Sequence, residues 1–224
     1  MHRAAAFLRL ERPPVMTNLA PVVFVVDDDV SVRESLQLLI ADAGWCPELC
    51  ASAHEFLDRP RPSRPSCLIL DVTLPDLNGL ELQKRIAGDR AEMPIIFVTG
   101  NGHIPMTVDA MKGGAVEFLT KPVAPTILLN AIETALARSR AALDEVARLL
   151  VLRERYESLS ARERQVMALV VCGKLNKQIG GELGIEEITV KAHRGRMMRK
   201  MGARSVPELV TVASQLGLRT AGKA

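Results

Sequence analysis

The sequence between residues 21 and 29 reads PVVFVVDDD. A continuous apolar run that is rich in β-branched residues is typical of a strand buried on both faces of a sheet. Three aspartates then follow at the point where this strand should end. A strand of this kind needs helices on both sides of its sheet, so the stretch favours an α/β domain with parallel strands.

The residues that follow alternate between apolar runs and amphipathic helical patterns. Helices are predicted at 31–43, 79–87 and 105–112, and further strands at 46–50, 67–70, 94–99 and 115–120. Strands that alternate with helices indicate βαβ units. The sequence therefore predicts a doubly wound, parallel, five-stranded α/β sheet.

Polar side chains stand where four of these strands end. Asp27 and Asp28 follow the first strand, Asp71 follows the third, Thr99 ends the fourth and Lys121 follows the fifth. Because the carboxyl ends of parallel strands meet at one edge of a sheet, we expect these groups to converge. Crowded carboxylates need a cation, and oxygen ligands suit Mg²⁺. A carboxylate there can attack a phosphoryl group whose charge the cation and Lys121 neutralise, whereas a single aspartate at such a position often only begins a turn.

Four motifs of this half resemble the receiver domain of two-component response regulators, in the family's order and spacing: FVVDDD, LILDVTLPDLNG, IIFVTG and VEFLTKP. The resemblance covers about residues 21–137 and implies a flavodoxin-like fold. It implies that Asp71 is the phosphoacceptor, that Thr99 hydrogen-bonds the phosphoryl group and that Lys121 pairs with it. It also implies a cis bond between Lys121 and Pro122, which is otherwise a minority state.

The same resemblance implies the magnesium ligands and a switch residue. Asp27 and Asp28 match the family's acidic pair. Asp28 and Asp71 would bind Mg²⁺ through their side chains, and Thr73 through its backbone carbonyl. Phe118 matches the aromatic switch position, where Tyr or Phe is usual.

A long helix is predicted after the fifth strand, because residues from Pro125 to about Leu159 include no Gly and no internal Pro. Leucine recurs in it every seven residues, with a second row of residues between, and the two rows are Leu129, Leu136, Leu143, Leu150 and Ile132, Ser139, Val146, Arg153. Such a heptad seam predicts pairing with a second helix. The alternative is a single helix packed on its own domains, and Ser139 and Arg153 weaken the seam.

The charge of the chain is divided between its two halves. Residues 21–124 hold 9 Lys and Arg against 15 Asp and Glu, whereas residues 157–224 hold 12 against 6. A basic half is a candidate for contact with nucleic acid. This half is helical in pattern, with a capping box at Ser160–Glu163 and helices predicted at 161–171, 176–183, 187–201 and 206–216.

Residues 159–202 resemble the LuxR-type helix-turn-helix domain, and with the receiver motifs they resemble FixJ-like and NarL-like regulators. The helix at 187–201 carries one stripe with Met and Val for packing and one basic stripe that includes Ala192 and Gly195, which permit close approach to base edges. The predicted DNA-contacting residues are Asn176, Lys177, Ile188, Thr189, Lys191, Ala192, Gly195, Arg196, Arg199 and Lys200. Lys191 is expected at a base edge and Lys200 at a phosphate. Two departures from the family are Glu186, where a Ser cap is usual, and Gly180-Gly181, which replaces an Ala pair.

The sequence thus predicts four segments: an N-terminal tail (1–20), a receiver domain (21–137), a helical linker (138–158) and a LuxR-type DNA-binding domain (159–224). The function predicted is that of a phosphorylation-dependent transcription regulator. A cognate histidine kinase would supply the phosphoryl group, and the phosphorylated homodimer would bind double-stranded promoter DNA. One alternative is an aspartyl-phosphate phosphatase of the haloacid-dehalogenase kind, but its second aspartate would stand at Thr73. A DNA-binding protein with an unmodified receiver is the other alternative.

Composition excludes several other classes of protein. The chain is 48% hydrophobic and 25% charged, as in folded proteins and unlike disordered ones. It has no apolar run of about 18 residues that would span a membrane, and its four cysteines form no C-x-x-C pair. We therefore expect a cytoplasmic protein that is not an enzyme and has no disulfide framework.

Overall fold

A computed structural model describes residues 20–100 and 104–218 of the chain. The chain divides into two compact units, Met1–Leu143 and Asp144–Ala224. Residues 1–19 of the predicted N-terminal tail lie outside the described residues.

The first unit is an α/β domain. Its elements are β1 (Val22–Val26), α1 (Val30–Asp42), β2 (Cys46–Cys50), α2 (Ala53–Leu57), β3 (Ser66–Leu70), α3 (Gly79–Ile86), β4 (Ile95–Thr99), α4 (Ile104–Lys112), β5 (Glu117–Thr120) and the first part of α5 (Pro125–Glu157). The five strands are parallel, in the order β2-β1-β3-β4-β5. The doubly wound sheet predicted from the sequence is confirmed. The sequence analysis missed α2, which is only five residues long.

Both faces of the sheet are covered, which explains why its strands are continuous apolar runs. Val22, Phe24 and Val26 face a core that α2, α3 and α4 complete, and Val23 and Val25 face a core that α1 and α5 complete. Side chains alternate between the two faces of a strand. All five residues of β1 are consequently buried.

The long helix α5 shows that only part of the heptad seam is free for pairing. Ile132 and Leu136 are 0% and 5% exposed because they pack against the sheet of their own domain. Ser139 is buried too, and its Oγ accepts a hydrogen bond of 3.0 Å from the Ser66 amide. Pairing through this part of the seam is therefore a wrong interpretation. Val146 and Leu150, by contrast, are 51% and 55% exposed.

The second unit is helical. After the last turns of α5 come α6 (Ala161–Val171), α7 (Asn176–Leu183), α8 (Glu187–Met201) and α9 (Val206–Gln215). The predicted capping box is present at the start of α6, where the Glu163 amide donates to Ser160 Oγ and the Ser160 amide donates to Glu163. Glu186 makes no side-chain hydrogen bond as the cap of α8, as its sequence predicts.

Close packing explains one glycine of the Gly180-Gly181 pair. A Cβ atom on Gly180 would lie 2.7 Å from the carbonyl oxygen of Ile185, which is closer than such atoms approach in proteins. Gly181 has nothing within 4 Å of its Cβ position, so nothing in the structure explains it. Within the described residues, no helix has the length and apolar character needed to span a membrane.

Candidate functional site

Three carboxylates meet at the carboxyl edge of the sheet. Asp27 and Asp28 follow β1, and Asp71 follows β3. One oxygen atom from each lies within 4.8 Å of the others. Asp27 and Asp71 are 3% and 6% exposed, whereas Asp28 is exposed. The parallel sheet thus brings together the acidic residues predicted from the sequence.

Lys121 connects two of these carboxylates. Its Nζ lies 2.6 Å from Asp27 Oδ2 and 2.6 Å from Asp71 Oδ2. Burial lowers the pKa of Lys121, but the hydrogen bonds to the two carboxylates outweigh it, so the pKa is raised and the amine stays protonated. The Lys121–Pro122 peptide bond is cis, as the resemblance implies, and the Lys121 amide donates to the Thr99 carbonyl at 2.8 Å.

Backbone amides hold the other oxygen of each buried carboxylate. The Asp29 amide donates to Asp27 Oδ1 at 3.0 Å, and the Thr73 amide donates to Asp71 Oδ1 at 3.0 Å. Asp29 itself caps α1 through its side chain. Burial raises the pKa of Asp27, against the effect of its hydrogen bonds from Lys121 and Asp29. A cation beside these carboxylates offsets this cost of burial.

The donor set fits Mg²⁺, because only carboxylate and backbone oxygens surround this point and oxygen ligation is what Mg²⁺ prefers. Asp28 and Asp71 offer side-chain oxygens, and Thr73 is held beside Asp71 by its amide. The acidic site is thus of the kind that binds Mg²⁺ in receiver domains.

The two predicted signalling residues lie on neighbouring strands. Thr99 ends β4 and is fully buried. Phe118 lies in β5, is partly buried, and has its ring centroid 6.0 Å from that of Phe97 on β4.

Two residues of this site were missed by the sequence analysis. A Cβ atom on Gly79 would lie 2.5 Å from the Asp71 carbonyl oxygen, so the start of α3 presses against the phosphoacceptor candidate. Asp76, in the loop between β3 and α3, accepts hydrogen bonds from the Ala53 and His54 amides and lies 2.6 Å from His54 Nδ1. The LPDLNG motif was a signal for Gly79, since Asn78 is a typical cap for the helix that Gly79 begins.

The helix α8 separates its packing face from an exposed face. Val190, Met197 and Met201 are buried in the core of the second unit. The exposed residues are Ile188, Lys191, Ala192, Gly195, Arg196, Arg199 and Lys200. The predicted DNA-contacting residues of this helix thus share one surface, except Thr189, which is partly buried.

Several of these polar groups have partners within the protein. Arg194 Nη1 donates to Asn176 Oδ1 at 2.9 Å, which ties α8 to the start of α7. Lys191 Nζ lies 3.1 Å from Glu187. These intramolecular contacts must be kept or exchanged when the surface meets a ligand. Lys177, at the start of α7, is exposed.

Lys200 is the most strongly engaged of the predicted phosphate contacts. Its Nζ donates to Glu163 Oε2 at 2.7 Å and to the Ser158 carbonyl at 2.9 Å. These contacts join the C-terminal part of α8 to the cap of α6. The hydrogen bond from Lys200 is the main cause of the lowered pKa of Glu163.

Comparison with protein families agrees with the geometry of both units. Residues 23–133 match the response regulator receiver domain, and residues 157–213 match the bacterial regulatory proteins of the luxR family. Nodulation protein W of Bradyrhizobium diazoefficiens is 47% identical over 197 residues, which cover 88% of this chain and 87% of that protein. The chain is a two-component response regulator.

Other relatives place this response regulator among transcription regulators. The transcriptional regulatory protein FixJ of Rhizobium meliloti is 40% identical over 85% of this chain and 94% of its own. The solved structure of the response regulator StyR has a TM-score of 0.77 and 44% identity, covering 88% of this chain and 99% of that one. This response regulator therefore combines a receiver domain with a LuxR-type DNA-binding domain, and its named relatives are regulators, not enzymes.

Proposed function

We propose that Asp71 accepts a phosphoryl group from a histidine kinase, and that the phosphorylated protein dimerises and binds promoter DNA. The observation that carries this proposal is the position of Asp71, whose buried carboxylate lies between a lysine ammonium and two further carboxylates. This arrangement supplies a nucleophile, a resident positive charge and a place for a cation.

The transfer is a displacement at phosphorus. A carboxylate oxygen of Asp71 attacks the phosphorus of the kinase phosphohistidine, the P–N bond breaks and a P–O bond forms. The histidine of the kinase leaves as an imidazole, which takes its proton from water. Lys121, which spans Asp27 and Asp71 before the reaction, moves its charge toward the new phosphoryl oxygens. The Thr73 amide holds the second oxygen of Asp71 and so orients the carboxylate.

Asp28, Asp71 and the Thr73 backbone carbonyl would hold Mg²⁺, with Asp27 beside them. When bound, Mg²⁺ neutralises negative charge on the phosphoryl oxygens during transfer. Asp27 then has two tasks in the chain itself. It adds negative charge for the cation, and it positions Lys121 by accepting a hydrogen bond at 2.6 Å.

The phosphoryl group would change the surface around α4 and β5. Thr99 would hydrogen-bond the phosphoryl group, and Phe118 would change its position as Thr99 moves. On α4, Ile104, Val108 and Met111 are 81%, 41% and 44% exposed. An apolar helix face of this kind is a suitable dimer surface, because pairing would remove it from water. The exposed Val146 and Leu150 of α5 extend the apolar surface available for pairing.

The exposed face of α8 is the proposed DNA-reading surface. Lys191 would reach a base edge, and Ala192 and Gly195 would let the helix lie close to the groove. The proposed backbone contacts are Asn176, Lys177, Thr189, Arg196 and Lys200, with Arg199 on the same basic surface as Lys191. Such a regulator acts where its kinase and the chromosome are accessible, so we place it in the cytoplasm.

Labelling of the intact protein tests the phosphorylation step. Wild type, Asp71→Asn and Asp58→Asn are incubated with a small phosphodonor, with and without Mg²⁺, and weighed by mass spectrometry. Asp58 is the control because it is an exposed aspartate outside the cluster. Wild type and Asp58→Asn should gain one phosphoryl group only with Mg²⁺, and Asp71→Asn should gain none. Equal labelling of Asp71→Asn and wild type would refute Asp71 as the acceptor.

A receiver that is never phosphorylated remains the alternative. In that case, the phosphodonor would label none of the three proteins, while binding to DNA would persist. The hydrogen-bonded Asp27–Lys121–Asp71 group argues against it, because burying three charged side chains at one sheet edge costs stability unless they serve the site.

A further inference from the structure

An exposed isoleucine lies on the proposed DNA-reading face. Ile188 is 67% exposed, in the first turn of α8. Within α8, it is the one large hydrophobic residue with such exposure. It lies three and four residues before Lys191 and Ala192, so the three side chains are neighbours on the helix surface.

Neither packing nor helix formation explains this isoleucine. Its side chain does not belong to the core of the second unit. A β-branched residue is also a poorer helix former than the polar residues that usually occupy exposed positions. Ile188 is therefore free to serve a contact outside the folded chain.

We propose that Ile188 specifies thymine at one position of each DNA half-site by packing against its C5-methyl group. This inference rests on the proposed function, and adds to it the base that this residue selects. The N-terminal residues of a recognition helix lie nearest the base edges. The thymine methyl is the apolar group that the major groove offers, so it is the partner that an exposed isoleucine can bury there.

The local charge supports an apolar contact at this point. Glu187 and Lys191, which flank Ile188 on the helix, lie 3.1 Å apart and neutralise one another. The patch around Ile188 is thus nearly neutral, whereas Arg196, Arg199 and Lys200 lie nearer the other end of the helix. Phosphate would be held by that basic end, and a base edge would be read at the neutral one.

The experiment uses the full chain and DNA that lacks single methyl groups. Duplexes that the phosphodonor-treated wild type binds are selected from a random pool, and the thymines of the selected half-site are replaced one at a time by deoxyuridine. One replacement should weaken wild-type binding about three- to tenfold, which is the scale for losing burial of a methyl group and its neighbours. Ile188→Ala should show a similar loss on the thymine duplex and no further loss with deoxyuridine.

Leu175→Ala is the matched control variant. Leu175 is 69% exposed, but it precedes α7 and does not lie on α8, so this variant should keep the full sensitivity to deoxyuridine. Both substituted side chains are exposed, so both variants should fold.

The failures of the two proposals are distinguishable. If the wild type selects no sequence, the proposed DNA-binding function fails. If it selects a site but no thymine replacement matters, or Ile188→Ala stays as sensitive as wild type, only the role of Ile188 is overturned. The same conclusion holds if Ile188→Ala weakens every duplex equally, as a contact with protein would.

Discussion

Gly79 shows how closely the residues behind the phosphoacceptor are packed. Its amide donates to the Val72 carbonyl at 2.9 Å. A Cβ atom would lie 2.5 Å from the Asp71 carbonyl oxygen and 3.0 Å from Val72 Cα. Because those neighbours are backbone atoms, they cannot turn aside as a flexible side chain would. The absence of a side chain at Gly79 therefore fixes the position of the loop that carries Asp71.

We expect Gly79→Ala to displace this loop, slow phosphorylation of Asp71 and lower the free energy of unfolding by about 1–3 kcal/mol, as overpacking does. Gly88→Ala is the control, since nothing lies within 4 Å of its Cβ position. Urea unfolding and the rate of labelling by a phosphodonor measure the two effects. Equal values for the two variants would show that the loop adapts without cost.

Asp76 stabilises the same loop by a contact with α2. Burial raises the pKa of Asp76, but hydrogen bonds from the His54 amide and imidazole and from the Ala53 amide outweigh it and lower the pKa to about 2. An aspartate whose pKa is lower in the folded state stabilises that state above its unfolded pKa. The stabilisation is lost as the pH falls toward the folded value.

Asp76→Asn should therefore lower the free energy of unfolding by about 1–2 kcal/mol near neutral pH, from the size of the pKa shift. The difference from wild type should shrink as the pH falls from about 4 toward about 2. Asp58→Asn, at the other end of α2, should change stability little at any pH. Urea unfolding at several pH values measures this, and a difference that does not depend on pH would contradict the role of the carboxylate charge.

At the scale of single residues, the sequence predicts the groups that follow strands better than the groups that loops bring together. Asp71 and Lys121 are placed by strand ends, and parallel strands must end at one edge. Asp76 has its role because α2, more than twenty residues earlier in the chain, supplies its donors. No local pattern carries that information.

Among the elements, α5 shows why a heptad repeat alone does not establish pairing. Helices that pack on a sheet and helices that pair both place apolar residues three and four apart. Ile132 and Leu136 meet the sheet, and Ser139 is buried because it accepts a hydrogen bond from the start of β3. In the strands, burial of both faces left a pattern that few other structures produce, so they were predicted within one or two residues.

The links between helices in the second unit lead to a prediction about two lysines. Lys200 bonds the buried Glu163 and the Ser158 carbonyl, whereas Lys191 meets the exposed Glu187. Removing one partner of a buried charged pair leaves the other unsatisfied, which costs more than losing a surface pair. Lys200→Ala should therefore lower the free energy of unfolding by about 1–2 kcal/mol.

The control is Lys191→Ala, which should change stability by less than about 0.5 kcal/mol, as for other exposed pairs. In DNA titrations at several salt concentrations, Lys191→Ala should lower the preference for the selected site over a mismatched one. If the lysines exchanged these effects, the assignment of Lys200 to the protein interior and Lys191 to the bases would be wrong.

At the scale of the whole molecule, the division of charge matches the division of labour. The acidic residues of the first unit include the cluster that accepts a cation and a phosphoryl group. Those of the second unit are outnumbered by Lys and Arg, twelve against six over residues 157–224. The resulting field favours contact with DNA and makes that contact sensitive to salt. Regulation requires that the chemistry in the first unit alter what the second unit binds.

The most direct test of this coupling measures DNA affinity and oligomeric state together. Wild type and Asp71→Asn are titrated against a selected duplex with two half-sites, with and without phosphodonor and Mg²⁺, and the same samples are sedimented. We expect the phosphodonor to convert wild type to dimers and to raise its affinity at least about tenfold, roughly 1.4 kcal/mol, and to leave Asp71→Asn unchanged. An identical response of the two proteins, or no response of the labelled wild type, would contradict the coupling.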